Sequence, residues 1–68
     1  MIYLLVRGER YKLTAVMSAH ETLEGARVAA AAFNHSMVEQ DPPADGCAAS
    51  WINVGLETLE VLPMEVQP

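Results

Sequence analysis

A single cysteine, Cys47, leaves this chain without any internal disulfide. Histidine is nearly as scarce, with only His20 and His35, so no Cys/His set at metal-ligand spacing exists. Basic residues are few: four Lys and Arg against nine Asp and Glu give a net charge of −5. Nucleic-acid binding works by neutralising phosphates with Lys and Arg, so no direct contact with DNA or RNA is expected. Long apolar runs are missing too. The longest, residues 1–6 and 28–33, fall far short of the ~20 residues a membrane helix needs. No basic stretch precedes the first apolar residues, which argues against a signal peptide. With one thiol and neither feature, the chain reads as cytoplasmic, with no membrane partner. There is no P-loop, GxGxxG, GxSxG or CxxC motif, so neither a cofactor nor an enzymatic activity is expected.

What the chain does have is apolar surface. Hydrophobic residues make up 51% of its 68 positions. A 7.4 kDa chain removes about 6,500 Å² from water on folding. If roughly 60% of that is apolar, burial contributes on the order of 100 kcal/mol. Ordering costs about 1.5 kcal/mol per residue, which comes to nearly the same total. A monomer with no disulfide or metal should therefore be marginal, and oligomerisation is the stabiliser left to so small a scaffold.

The clearest local signal lies in residues 22–38, TLEGARVAAAAFNHSMV. Leu23, Ala26, Ala30, Phe33 and Met37 recur at spacings of three and four, one stripe of a helix spanning about residues 22–39. Thr22 is placed to cap it, with Ser18 and Glu21 at capping-box spacing as an alternative start, and Pro42 and Pro43 lie just beyond its end. Val28 and Ala31 fall off the stripe, making the helix back a candidate contact surface.

Before the helix, residues 2–7 and 10–17 read as two strands. Glycine at the first central position of a Gly8-Glu9 turn suits a two-residue type II′ hairpin. That turn sets Arg7 opposite Arg10, Val6 opposite Tyr11, Leu4 opposite Leu13 and Ile2 opposite Ala15. Ile2, Leu4 and Val6 then face the helix, and Tyr3, Leu5 and Val16 form an apolar patch on the uncovered face. After the helix, residues 40–50 read as a loop rich in turn signals. Residues 51–62 read as a third strand whose alternation changes phase near Gly55, as a bulge would produce; alternatively only residues 57–62 are strand and the Trp51 segment is an irregular lead-in. Pro63 and Pro68 mark the tail as edge or coil. The expected fold is a single α+β domain of ββαβ order: a three-stranded antiparallel sheet, order 2-1-3, with one helix on one face.

Candidate chemistry is sparse. His35 and Glu39 stand four apart on the expected helix, and His20 adjoins Glu21, spacings best explained as solvated ion pairs. Cys47 has no neighbouring base to form a thiolate. No catalytic, cofactor-binding or metal-ligating residue is assigned. Candidate interaction residues are Tyr3, Leu5 and Val16 on the sheet, Arg7, Arg10 and Lys12 at the basic hairpin tip, Val28 and Ala31 on the helix, and Trp51. The tip has electrostatic motivation: Arg7, Arg10 and Lys12 against Glu9 make residues 1–20 +2, while Arg27 against eight acids makes residues 21–68 −7.

The layout MIYLLVRGERYKLTAVMSAHETLEGARVAAAAF, covering about residues 1–38, resembles small phage and bacterial ββαβ proteins of a domain of unknown function. The resemblance implies a fold of this type and a mobile-element origin, with the host cytoplasm as location, and supplies no catalytic residue. Together these readings lead to a non-enzymatic protein-interaction module, homodimeric or bound to another protein. The alternative is a phage-encoded inhibitor of a host defence or nucleic-acid-processing protein that presents acids such as Glu57 and Glu60.

Overall fold

The computed structural model describes residues 1–9 and 12–65, and gives the backbone alone for Leu13 and Thr14. The elements are β1 (Ile2–Glu9), β2 (Lys12–His20), α1 (Leu23–Ala30), β3 (Val38–Glu39), β4 (Ala49–Ile52) and β5 (Glu57–Met64). The expected three-stranded sheet is incorrect. The fold is α+β with five antiparallel strands in the order β2-β1-β5-β4-β3 and one short helix.

The extra strands come from two segments read differently in the sequence. Residues 51–62 are two strands and a turn, and the phase change near Gly55 is the turn itself. Asn53 builds it: its Oδ1 accepts from the N–H groups of Gly55 and Glu57 at 2.9 and 3.0 Å, and its own N–H donates to the Glu57 carbonyl at 3.1 Å. The last loop residue, Leu56, sits in the left-handed region at φ 65°, where a three-residue hairpin loop ordinarily places glycine. The other new strand, β3, falls inside the expected helix. That helix has eight residues and stops at Ala30.

Thr22 caps the helix, its Oγ1 accepting from Gly25 N–H at 3.0 Å, with Glu24 in the first turn. Past Ala30 the bonds tighten: Ala32 donates to Ala29 at 3.3 Å and Phe33 to Ala30 at 2.9 Å. The Asn34-His35-Ser36 segment then turns the chain, and Met37 N–H donates to the Asn34 carbonyl at 3.0 Å. Weak helix formers in a row permit this stop, and pairing of Val38 and Glu39 with Ile52 and Trp51 enforces it. His35 and Glu39 therefore never share a helix face.

The N-terminal hairpin also departs from expectation. Gly8 pairs within β1, opposite Leu13 and Thr58, and Glu9 pairs with Lys12. Arg10 and Tyr11 lie outside the described residues, but the expected register does not hold, because Val6 and Arg7 pair with Val16 and Ala15 instead of with Tyr11 and Arg10. Gly8 is required for closeness instead of for a turn: a Cβ there would lie 2.5 Å from Thr58 Oγ1 and 3.1 Å from the Lys12 carbonyl oxygen. Two register shifts leave Thr14 and Met17 as extra residues on β2, so Val6 pairs with Val16 and Leu4 with Ala19.

These shifts reverse the assignment of faces. Leu5, Ala26, Ala30, Ala49, Trp51, Leu59 and Val61 form the core, with Tyr3, Met17, Leu23 and Met37 packed on it. The helix thus covers the Tyr3/Leu5 side of β1, and Ile2, Leu4 and Val6 face the other way. Ala26 and Ala30, both fully buried, let the helix backbone approach the sheet closely. Pro63, expected to end the strand, lies within β5, opposite Tyr3. Because the Val61 carbonyl accepts from Ala48, backbone polar groups of this parity point toward β4, which has ended before Pro63. The ring's missing N–H therefore costs no ladder bond. Pro68, expected as edge or coil, lies outside the described residues.

Candidate contact surface

The sheet's second face carries Ile2, Leu4, Val6 and Gly8 from β1, Val16 and Ala19 from β2, Thr58, Glu60, Leu62 and Met64 from β5, and Ser50 and Ile52 from β4. Antiparallel sheets with one wet face usually alternate apolar and polar residues cleanly. Here β1 is apolar on both sides, so the fold needs a cover on each.

The chain itself supplies part of the second cover. Residues 40–48 fold back over the β4–β5 portion of this face. Ser50, 0% exposed, donates from Oγ to Gln40 Oε1 at 2.8 Å and accepts from Ala44 N–H at 3.0 Å. Gln40 N–H donates to the Ser50 carbonyl at 2.9 Å. Further along, the Cys47 thiol donates to Glu60 Oε2 at 2.9 Å. Burial pushes the Cys47 thiol up to about 12, and the Glu60 carboxylate, as hydrogen-bond acceptor and as negative charge, adds to the rise, with Asp45 contributing further. A thiol held protonated in this way is a poor nucleophile. Its work here is to fasten the loop.

The other end of the face stays open. Val16 is 57% and Met64 48% exposed, Ala19 is exposed, and Ile2, Leu4 and Leu62 are half-buried. No charged side chain belongs to this group. The helix side offers a different feature, an open groove of about 570 Å³ lined by Leu23, Glu24, Arg27, Val28 and Ala31. Arg27 links that side to the far sheet edge, pairing with Glu39 at 2.7 Å and lying 5.6 Å above the Trp51 ring.

Of the residues singled out from the sequence, Val16 lies on the open face. Leu5 is 0% exposed in the core and Tyr3 packs against it, so neither belongs to a free surface. Their side is the covered one because the hairpin register differs from the type II′ reading. Trp51, 4% exposed, is core beneath Arg27. Val28 and Ala31 are exposed on the helix groove. Arg7 is exposed and pairs with Glu57 at 3.6 Å, Lys12 is exposed, and Arg10 lies outside the described residues. The sequence reading missed Ile2, Leu4, Ala19, Leu62 and Met64. The shared parity of Leu59 and Val61, opposite to that of Leu62 and Met64, could have pointed to them once β5 was paired with β1.

Among the described residues, no group of three or more His, Cys, Asp or Glu is placed to hold a metal. His20 instead shares a hydrogen bond with Ser18 Oγ at 2.7 Å. No described helix is long and apolar enough to cross a membrane. Comparison with protein-family models, with curated proteins and with solved structures returns no match for this chain.

Proposed function

We propose that this chain is a non-enzymatic protein-interaction module, acting in the cytoplasm, whose contact surface is the open end of the second sheet face. One observation carries the reading: an apolar strip with no charged member, at the end of a face whose other part is already sealed by residues 40–48. Contiguous apolar surface on a small domain marks sites where another surface lands.

A photo-crosslinking residue at position 16 or 64, introduced in the cell that expresses the chain, tests this. Protein adducts should form from both positions and not from Ser36, an exposed turn residue on neither face. Absence of adducts, or equal yields from position 36, would refute the reading. The inhibitor reading is less well supported, because its two central acids are engaged within the chain: Glu57 with Arg7 and Glu60 with Cys47.

A further inference from the structure

We infer that the occupant of the open sheet face is a second copy of this chain, packed face to face about a two-fold axis that runs along β1. The inference rests on the interaction-module reading above and names its partner.

Edge pairing is the usual alternative for an antiparallel sheet, and both edges here are unsuited to it. β2 carries two extra residues, Thr14 and Met17, and β3 is two residues long. Bulged and very short edge strands resist the addition of a further strand. The face is what remains.

Its chemistry favours self-apposition. Each copy carries a net charge of −5, yet the open group Ile2, Leu4, Val16, Ala19, Leu62 and Met64 contains no charge. Glu60, which the register places on this face, is already bound by Cys47. Two such faces meet without like-charge contact, whereas a dissimilar partner would find no charge by which to be selected.

The register supplies shape. Ala19, Leu4 and Leu62 lie abreast across β2, β1 and β5. An axis along β1 sets β2 of one copy over β5 of the other, so Ala19 meets Leu62 in both halves, small against large, and Val16 comes over the Cys47-bound Glu60 of the other copy. The two sheets then form a four-layer α/β/β/α assembly in contact at their open ends, with residues 40–48 covering the rest of each face. The folded chain exposes 4657 Å², against about 4,200 Å² expected for a compact monomer of its mass. The open strip is three strands wide at the Leu4 row and three residues long on β1, where it ends at buried Val6, a footprint of roughly 14 by 10 Å. That is small beside the ~800 Å² per partner of a standard interface, so the dimer should dissociate in the micromolar range or above.

Sedimentation equilibrium from about 10 µM to 1 mM is the test. The weight-average mass should rise from 7.4 kDa toward twice that value. Val16→Glu should weaken association at least tenfold with an unchanged circular dichroism spectrum, and Val28→Glu on the helix groove should leave it intact. Ala19→Leu should also weaken it tenfold, and adding Leu62→Ala should restore it to within threefold. That swap reads the pairing even where Val16→Glu disturbs folding. A mass of 7.4 kDa throughout overturns the inference, as does association that survives Val16→Glu or that Val28→Glu abolishes equally. If the chain is monomeric while positions 16 and 64 still crosslink a different protein, the second-copy assignment falls and the interaction-module reading stands.

Discussion

Replacing Gly8 with alanine examines the corrected register most directly. The added Cβ would stand 2.5 Å from Thr58 Oγ1 and 3.1 Å from the Lys12 carbonyl oxygen. The first contact is the more severe, since Thr58 must leave its rotamer to relieve it; the second, with backbone on the paired strand, is tight but needs only a few tenths of an ångström. Overpacking of this kind costs about 1–3 kcal/mol, and with both contacts present, the one to Thr58 carrying most of the cost, Gly8→Ala falls in the upper half of that range. Thr58→Ala alone should cost only about 0.5 kcal/mol, a change of strand propensity at a half-buried site. In the double variant the threonine oxygen is gone and only the 3.1 Å contact remains, so the Gly8→Ala cost should fall by about 1–2 kcal/mol. Urea unfolding at a single protein concentration, followed by the fluorescence of buried Trp51, measures all three. With a slope of about 1 kcal/mol/M for so small a chain, Gly8→Ala should move the midpoint by roughly 2 M. A type II′ turn would also penalise alanine at position 8, but through backbone conformation, with no dependence on residue 58. Strictly additive costs would therefore refute the β1–β5 close approach and favour the turn, and a Gly8→Ala cost below about 0.5 kcal/mol would refute both.

Two further outcomes follow from the loop that seals the second face. Ser50→Ala strands the Ala44 N–H and Gln40 Oε1 beneath residues 40–48, a loss of about 1–3 kcal/mol with faster amide exchange confined to that loop; a neutral substitution would show that the serine does not hold it. The Cys47 thiol, raised from 9.0 to about 12 in the folded chain, stays protonated where the unfolded chain ionises, so its contribution to stability is complete below pH 9.0 and is lost as pH rises toward 12. Cys47→Ala should flatten the stability curve over that window relative to the parent, and Glu60→Gln, by removing the negative charge while leaving only a neutral amide acceptor, should speed alkylation of Cys47 at pH 9; an unchanged alkylation rate would dissociate the thiol from the Glu60 charge.

The largest difference between sequence and structure concerns which side of β1 is covered. Residues 2–6 are apolar at every position, so alternation carries no information about facing. In the sequence the facing rests on a turn, and the turn rests on Gly8. Glycine tolerates both a turn and a close approach, and only the position of Thr58 on a strand nearly fifty residues later distinguishes the two uses. The bulges at Thr14 and Met17 shift the β2 register further, and no local residue type announces an extra position in a strand. Leu5 thus passed from candidate contact to fully buried core, and Leu62 and Ala19 from unnoticed to central.

Local chemistry by itself determined the apolar strand segments near the N-terminus, a capping residue at Thr22 that the structure selects over Ser18, the excess of apolar residues, and the lack of a catalytic motif in the sequence. These are properties of neighbouring residues, set by propensity, capping and composition. Tertiary structure alone decided that an alanine-rich stretch gives up its helix at Ala30, because Val38 and Glu39 gain strand partners in β4. It likewise decided that Cys47 is a tether and that the open surface is the Leu4/Leu62 side. Those outcomes depend on contacts between residues far apart in the chain, whose energies a reading of adjacent residues does not contain.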